Sequence, residues 1–201
     1  DSVLVNSGWN LNDDYFDRDE TWAARSTPVD KQINLMHNEK DIIGHMTSSS
    51  VLVDGDLYQE DDAPEDFQIK VGGVLYRVWN DEKLKERMDT LIDEIEDDKW
   101  CVSMECVFAN FDYVVQDKDG AESIIKRNKT TAYLSKHLKA YGGKGEFEGK
   151  RIGRVLRRIT FSGKGIVDEP ANPESIIFND KVKANVQEFN MTLEETMKAQ
   201  A

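Results

Sequence analysis

Residues 100–108 read Trp-Cys-Val-Ser-Met-Glu-Cys-Val-Phe. With the two-residue period of a strand, Trp100, Val102, Met104, Cys106 and Phe108 share one apolar face, and Cys101, Ser103, Glu105 and Val107 share the other. A hydroxyl beside a carboxylate on the back of an apolar strand has two readings: a solvated outer face, or the floor of a site. His37 closes the apolar run 33–36 and precedes the polar corner 38–41, a place where a side chain is fixed yet reachable. Histidine is the usual general base because its ordinary pKa lies near neutrality. The alternative for a lone histidine is a satisfied loop residue. His45, inside an apolar run beside Gly44, reads as structural, and His137, between Lys136 and Lys139, reads as part of a solvated helix face.

The elements that must hold these residues follow from periodicity. Val3-Leu4-Val5 reads as a strand running into a polar turn, and 17–25 as a brief helix with acidic residues in its first turn. Residues 33–36, 42–46 and 51–53 read as strands, 54–66 as an exposed loop holding seven acidic residues, and 67–79 as a hairpin around Gly72-Gly73. The clearest helix is 81–97, whose Leu84, Met88, Leu91, Ile92 and Ile95 fall on one face. The strand 100–115 follows. A second helix is expected over 121–141, ending at Gly142-Gly143. A glycine-rich basic loop then leads to strands 154–161 and 165–167, and Thr192-Leu-Glu-Glu195 is a capping box opening a helix. The fold class expected is α+β, one strand-rich domain followed by a polar tail.

Composition narrows the function classes. The 201 residues carry 39 acidic and 26 basic side chains, a net charge of −13, which suits neither nucleic-acid phosphate nor an anionic membrane surface. Four Trp, six Tyr and eight Phe argue for a packed core rather than wholesale disorder. No apolar run approaches the roughly 20 residues of a membrane helix, and no basic region followed by a hydrophobic stretch marks a signal peptide. Cys101 and Cys106, an odd five residues apart on a strand, point to opposite faces and are expected to be reduced thiols of a cytoplasmic protein. No histidine pair, regular acidic loop or phosphate-cradling glycine loop points to a metal or a cofactor, and none is expected. Against the acidic background, Lys144, Lys150, Arg151, Arg154, Arg157 and Arg158 form a basic cluster, expected to border a site and to favour acidic residues in whatever binds there.

The order of these pieces resembles the tailed-phage prohead proteases. The histidine segment Met36-His-Asn-Glu-Lys-Asp-Ile-Ile-Gly44, the helix 81–97 leading into Val102-Ser-Met-Glu105, and the closing Val167-Asp-Glu-Pro-Ala-Asn-Pro173 match that family's motifs in order and spacing over about residues 1–178. Asn10-Leu-Asn-Asp-Asp-Tyr-Phe16 resembles its myovirus-type members. The resemblance implies the fold shared with herpesvirus assemblins, a β-barrel-like core with surrounding helices. It implies a serine endopeptidase with Ser103 as nucleophile and His37 as general base, since a serine hydroxyl needs a base within about 3 Å to take its proton. A third group normally fixes the base's tautomer. Glu105 shares the strand face of Ser103, His137 would match the His-Ser-His order of assemblins, and Asp168 belongs to the closing motif. Residues 149–154 are the expected source of oxyanion-binding amides. The partners implied are capsid and scaffolding protein precursors inside an assembling prohead in the host cytoplasm, with a homo-oligomer as a further arrangement, and residues 179–201 would be a linker and the start of a scaffold-like helix. The alternatives are a non-catalytic capsid-interior or scaffold-associated protein of the same fold, and a thiol nucleophile at Cys101.

Overall fold

Two long strands organise the molecule, β8 (Cys101–Gln116) and β11 (Lys150–Val167), which run antiparallel along almost their whole length. The computed structural model describes residues 1–172 and 175–178; the expectations for 179–201 lie outside the described residues. Both faces of this ribbon contribute to the core, Val102, Phe161 and Ile166 from one and Phe111, Tyr113, Ile152 and Leu156 from the other. The other strands add to β11 and to one another: β1 (Ser2–Asn6), β7 (Gln68–Leu75), β5 (Ile42–Val53), β4 (Gln32–Leu35), β11, β3 (Asp14–Phe16) and β2 (Gly8–Trp9), in that order. Three short strands hang off this path, β6 (Asp56–Tyr58) on β5, β9 (Glu122–Ile125) on β8 and β10 (Glu146–Phe147) on β11. The result is a strand-rich α+β fold, a sheet curled into a half-barrel. Its two ends are stitched at one level by residues 175–178: Val102 N–H donates to Ser175 O, Val3 N–H to Ile176 O, and Phe178 N–H to Asp1 O.

Two α-helices flank the sheet. Helix α1 (Arg18–Ala24) starts at Asp17, whose carboxylate accepts the Glu20 amide. Helix α2 (Glu82–Glu96) starts at Asp81, which accepts from the amides of Lys83 and Leu84, and buries Met88 and Leu91. Arg87 of α2 forks onto Asp41, tying the helix to the turn that carries His37.

Three expectations are corrected. Residues 67–79 do not form a hairpin at Gly72-Gly73; β7 runs straight through, pairing with β5 from Leu52↔Gln68 to Gly44↔Leu75. The acidic stretch 54–66 includes β6, which folds back on β5. The expected helix over 121–141 is instead β9 followed by two 3-10 turns, Ala132–His137 and Lys139–Tyr141. The side chains of Asn128 and Thr131 bond the local backbone there, competing with a helical ladder. Ile124 and Ile125 meanwhile pair with Val114 and Tyr113 of β8. Gly142 does end this region, in a left-handed conformation at φ 82°.

Candidate active site

Where β4, β11 and β8 lie side by side, the register places two rows of residues across the sheet. One row is Asn34, Gly165 and Ser103; the next is Gln32, Gly163 and Glu105. Directly opposed residues on neighbouring strands share a face, so Ser103 and Glu105 look out over a floor that two glycines leave bare. That bareness is used. A Cβ on Gly163 would run into the Glu105 carboxylate, and one on Gly165 would lie 3.0 Å from both Nδ1 and Cε1 of His37. The Glu105 carboxylate and the imidazole therefore lie flat across β11, where a side chain would displace either.

His37 reaches this position from a tight turn. Met36 and His37 both have positive φ, 53° and 56°, and Asn38 N–H closes the turn onto Leu35 O. Two consecutive left-handed residues are the mark of a type I′ turn, which favours Asn and Gly because a Cβ is strained there. Met36 N–H donates to Ile166 O, pinning the turn to β11 beside Gly165. His37 thus carries its imidazole on a left-handed backbone, one of eight non-glycine residues with positive φ among the described residues.

The imidazole is held through Nδ1, which lies 2.9 Å from Glu105 Oε1. The carboxylate accepts, so Nδ1 carries the proton and Nε2 is left as the basic nitrogen. The same Oε1 accepts from Asn34 Nδ2 at 2.7 Å. Asn34 is fully buried, and its Oδ1 has no partner among the described residues, a cost of about 1–3 kcal/mol for a buried acceptor. The carboxylate is thus fixed from two directions, and its own side chain is only 18% exposed. Ser103, opposite Gly165, has its Cβ about 4.5–5.5 Å from the point over which the imidazole lies. Its Oγ is not hydrogen-bonded to His37 here; such contacts often tighten only when substrate is bound.

His37, Ser103 and Glu105 line a cleft of about 530 Å³, within the ordinary range for ligand sites. Phe16, Leu156 and Phe108 give it apolar walls, and the bidentate Arg154–Asp14 pair (2.6 and 2.9 Å) closes one side. Ser162, the extra residue of a bulge in β11 opposite the Cys106–Glu105 step, adds a second hydroxyl to the lining. Cys106 also lines it, with burial pushing its thiol up to about 12.

The sequence-level candidates therefore separate. His37, Ser103 and Glu105 come together. His137 does not: it lies in the first 3-10 turn, with its ring 5.1 Å from that of Phe147 at the other end of the ribbon. Asp168 is exposed just past β11 and does not line the cleft, and neither does Cys101. Residues 149–154 are removed as a source of oxyanion-binding amides. They pair with the far end of β8, Arg151 opposite Gln116, and the Ile152 and Arg154 amides are already bonded to Gly145 O and Asp13 O. The basic cluster is also corrected. Arg154 borders the cleft, but Arg151, Arg154 and Arg157, three of the six cations, are paired with Asp13, Asp14 and Asp112 within the molecule. His45 bonds the Tyr76 hydroxyl at 3.2 Å, a structural contact. Asn34 is the residue at this site that the sequence did not show, because nothing local in Gln-Ile-Asn-Leu tells that it faces a carboxylate 71 residues away.

Among the described residues no group of side chains is arranged to hold a metal ion, and no helix is long and apolar enough to cross a membrane. No protein-family model, curated protein or solved structure matches the chain.

Proposed function

We propose that this chain is a serine endopeptidase of the tailed-phage prohead type, cutting capsid and scaffolding precursors inside the assembling shell in the host cytoplasm. The observation that carries the reading is the Glu105 Oε1–His37 Nδ1 hydrogen bond beside Ser103. The acid fixes the tautomer of a histidine that lies over Gly165, opposite the serine, and acid and base are 68 residues apart in sequence. In the reaction Ser103 Oγ attacks the scissile carbonyl as its proton passes to His37 Nε2, while Glu105 steadies the imidazolium. The imidazolium returns the proton to the departing amine, and water, deprotonated by the same nitrogen, releases the acyl group. The amide following the nucleophile, that of Met104, serves in this reading as a backbone donor to the oxyanion.

Co-expression with the capsid and scaffolding precursors tests this. Wild type is expected to process them; Ser103→Ala and His37→Ala are expected to leave them intact while folding normally. Processing that survives both substitutions overturns the proposal. The absence of a Ser103–His37 hydrogen bond favours a second reading, a non-catalytic capsid-interior protein of the same fold, for which the wild type also leaves the precursors uncut.

A further inference from the structure

On the reverse of the site floor, β11 sends a cation into the half-barrel. Lys164 stands between Gly163 and Gly165, opposite Ile33 of β4 and Met104 of β8. Its side chain therefore leaves the sheet on the face away from Ser103 and Glu105. It is 5% exposed. An ammonium can donate in three directions, and among the described residues this one meets a single acceptor, the fully buried Ser2 Oγ at 2.9 Å. Burial alone pushes the amine down to about 8, so at neutral pH it is still mainly protonated. A charge taken out of water is costly unless it is paired. Beside the amine lies a cavity of about 130 Å³, walled by the branched side chains of Ile33, Leu75, Ile95, Val102 and Ile166. The acid that also borders it, Asp1, has its carboxylate on Lys70 at 3.1 Å.

We infer that this cavity binds a short aliphatic monocarboxylate, its headgroup on the Lys164 ammonium and its chain among the isoleucine, leucine and valine side chains. The inference is independent of the protease reading and concerns the opposite face of the sheet. Three features choose the ligand class. The buried cation selects an anion over a neutral molecule or an amine. The aliphatic walls select a hydrocarbon tail over phosphate or sulfate, whose remaining oxygens would be buried without donors. The volume sets the length: an aliphatic cavity of about 150 Å³ takes up benzene, so this one holds roughly six non-hydrogen atoms. Butyrate has that size, and a long-chain fatty acid exceeds it.

The test titrates butyrate, at constant ionic strength against chloride, into the full chain labelled with ¹³C,¹⁵N-lysine. The Lys164 side-chain resonance, assigned as the one lost in Lys164→Met, is followed beside thermal unfolding. Butyrate is expected to shift that resonance saturably and to raise Tm with its concentration. 1-Butanol and n-butylamine lack the charge-assisted bond and are expected to bind about tenfold to a hundredfold more weakly. Octanoate is expected to leave the resonance in place. Lys164→Met is expected to weaken the Tm response to butyrate by the same factor. Ile95→Phe keeps the amine and fills the cavity, so it is expected to abolish the response; it also decides the matter if Lys164→Met does not fold. A Lys164 resonance that butyrate leaves unmoved in the folded wild type overturns the inference. So does 1-butanol binding as tightly as butyrate, or a butyrate response that Ile95→Phe leaves unchanged, which would place the anion on surface lysines. None of these readouts uses cleavage, so the outcome stands apart from that of the protease reading.

Discussion

Gly163 offers a way to disturb the site from beneath without touching any group that reacts. In Gly163→Ala the new Cβ would meet Glu105 Oε2 well inside 3.0 Å, the limit real Cβ atoms keep, and would press on Gln32 O at 3.2 Å. Gln32 can give by a few tenths of an ångström. The carboxylate must retreat by roughly 1 Å, and a displacement of that size at a catalytic group costs about 10²-fold in rate. Loss of the tautomer altogether would set an upper bound of about 10⁴. The overpacking is expected to cost about 1–3 kcal/mol of stability, against roughly 5–15 kcal/mol for a domain, so the protein stays folded at 25 °C. The assay is kcat/KM for precursor cleavage beside a urea unfolding curve, with ¹⁵N shifts of the His37 ring reporting its tautomer. Glu105→Asp supplies the control. In wild type it withdraws the carboxylate from His37 and lowers activity; on Gly163→Ala it also relieves the clash, so the two losses are expected to be less than additive. Wild-type kcat/KM in Gly163→Ala, or strict additivity with Glu105→Asp, would refute the claim that the bare floor positions the acid.

Other outcomes follow from the same geometry. Met36→Gly removes an exposed Cβ from the left-handed region at φ 53° and is expected to stabilise the protein by about 0.5–1 kcal/mol once the added freedom of the unfolded chain is subtracted, read as a rise in Tm. Lys164 projects away from the site floor into the core, bonds Ser2 Oγ at 2.9 Å, and is pushed down to about 8 by burial. Between about pH 8 and its ordinary value the unfolded chain holds more protons than the folded one, so this group makes stability rise with pH across that window and withholds it below. Lys164→Met is expected to abolish that rise in denaturation curves taken at successive pH values, and an unchanged slope would contradict it. Iodoacetamide is expected to leave cleavage intact, because Cys101 does not line the cleft and burial keeps the Cys106 thiol protonated; rapid inactivation by iodoacetamide together with cleavage that survives Ser103→Ala would point to Cys101 instead.

How much of this was legible in the sequence varies with the range of the interaction. The alternation through 100–108 set Ser103 and Glu105 on one face, because strand period alone determines it, and helix α2 appeared where its apolar stripe and Asp81 cap are local signals. The stretch 121–141 misled for the opposite reason: its apolar spacing suits a helix, but pairing of Ile124 and Ile125 with β8 and the Asn128–Thr131 side-chain bonds override it. The basic cluster misled because its partners, Asp13 and Asp14, lie some 140 residues earlier. That Glu105, and not His137 or Asp168, lies beside His37 depends on tertiary register, since the rows that bring Asn34, Gly165 and Ser103 together exist only once β4, β11 and β8 pair.

The central claim is that Ser103 is made nucleophilic by a histidine that Glu105 holds. Reaction of the folded protein with a small fluorophosphonate, followed by mass mapping of the adduct, tests it without knowledge of the natural substrate. A single adduct on Ser103, lost in His37→Ala and slowed in Glu105→Gln, is the expected result. An adduct on Ser162, or none on a protein whose unfolding curve is intact, would contradict it.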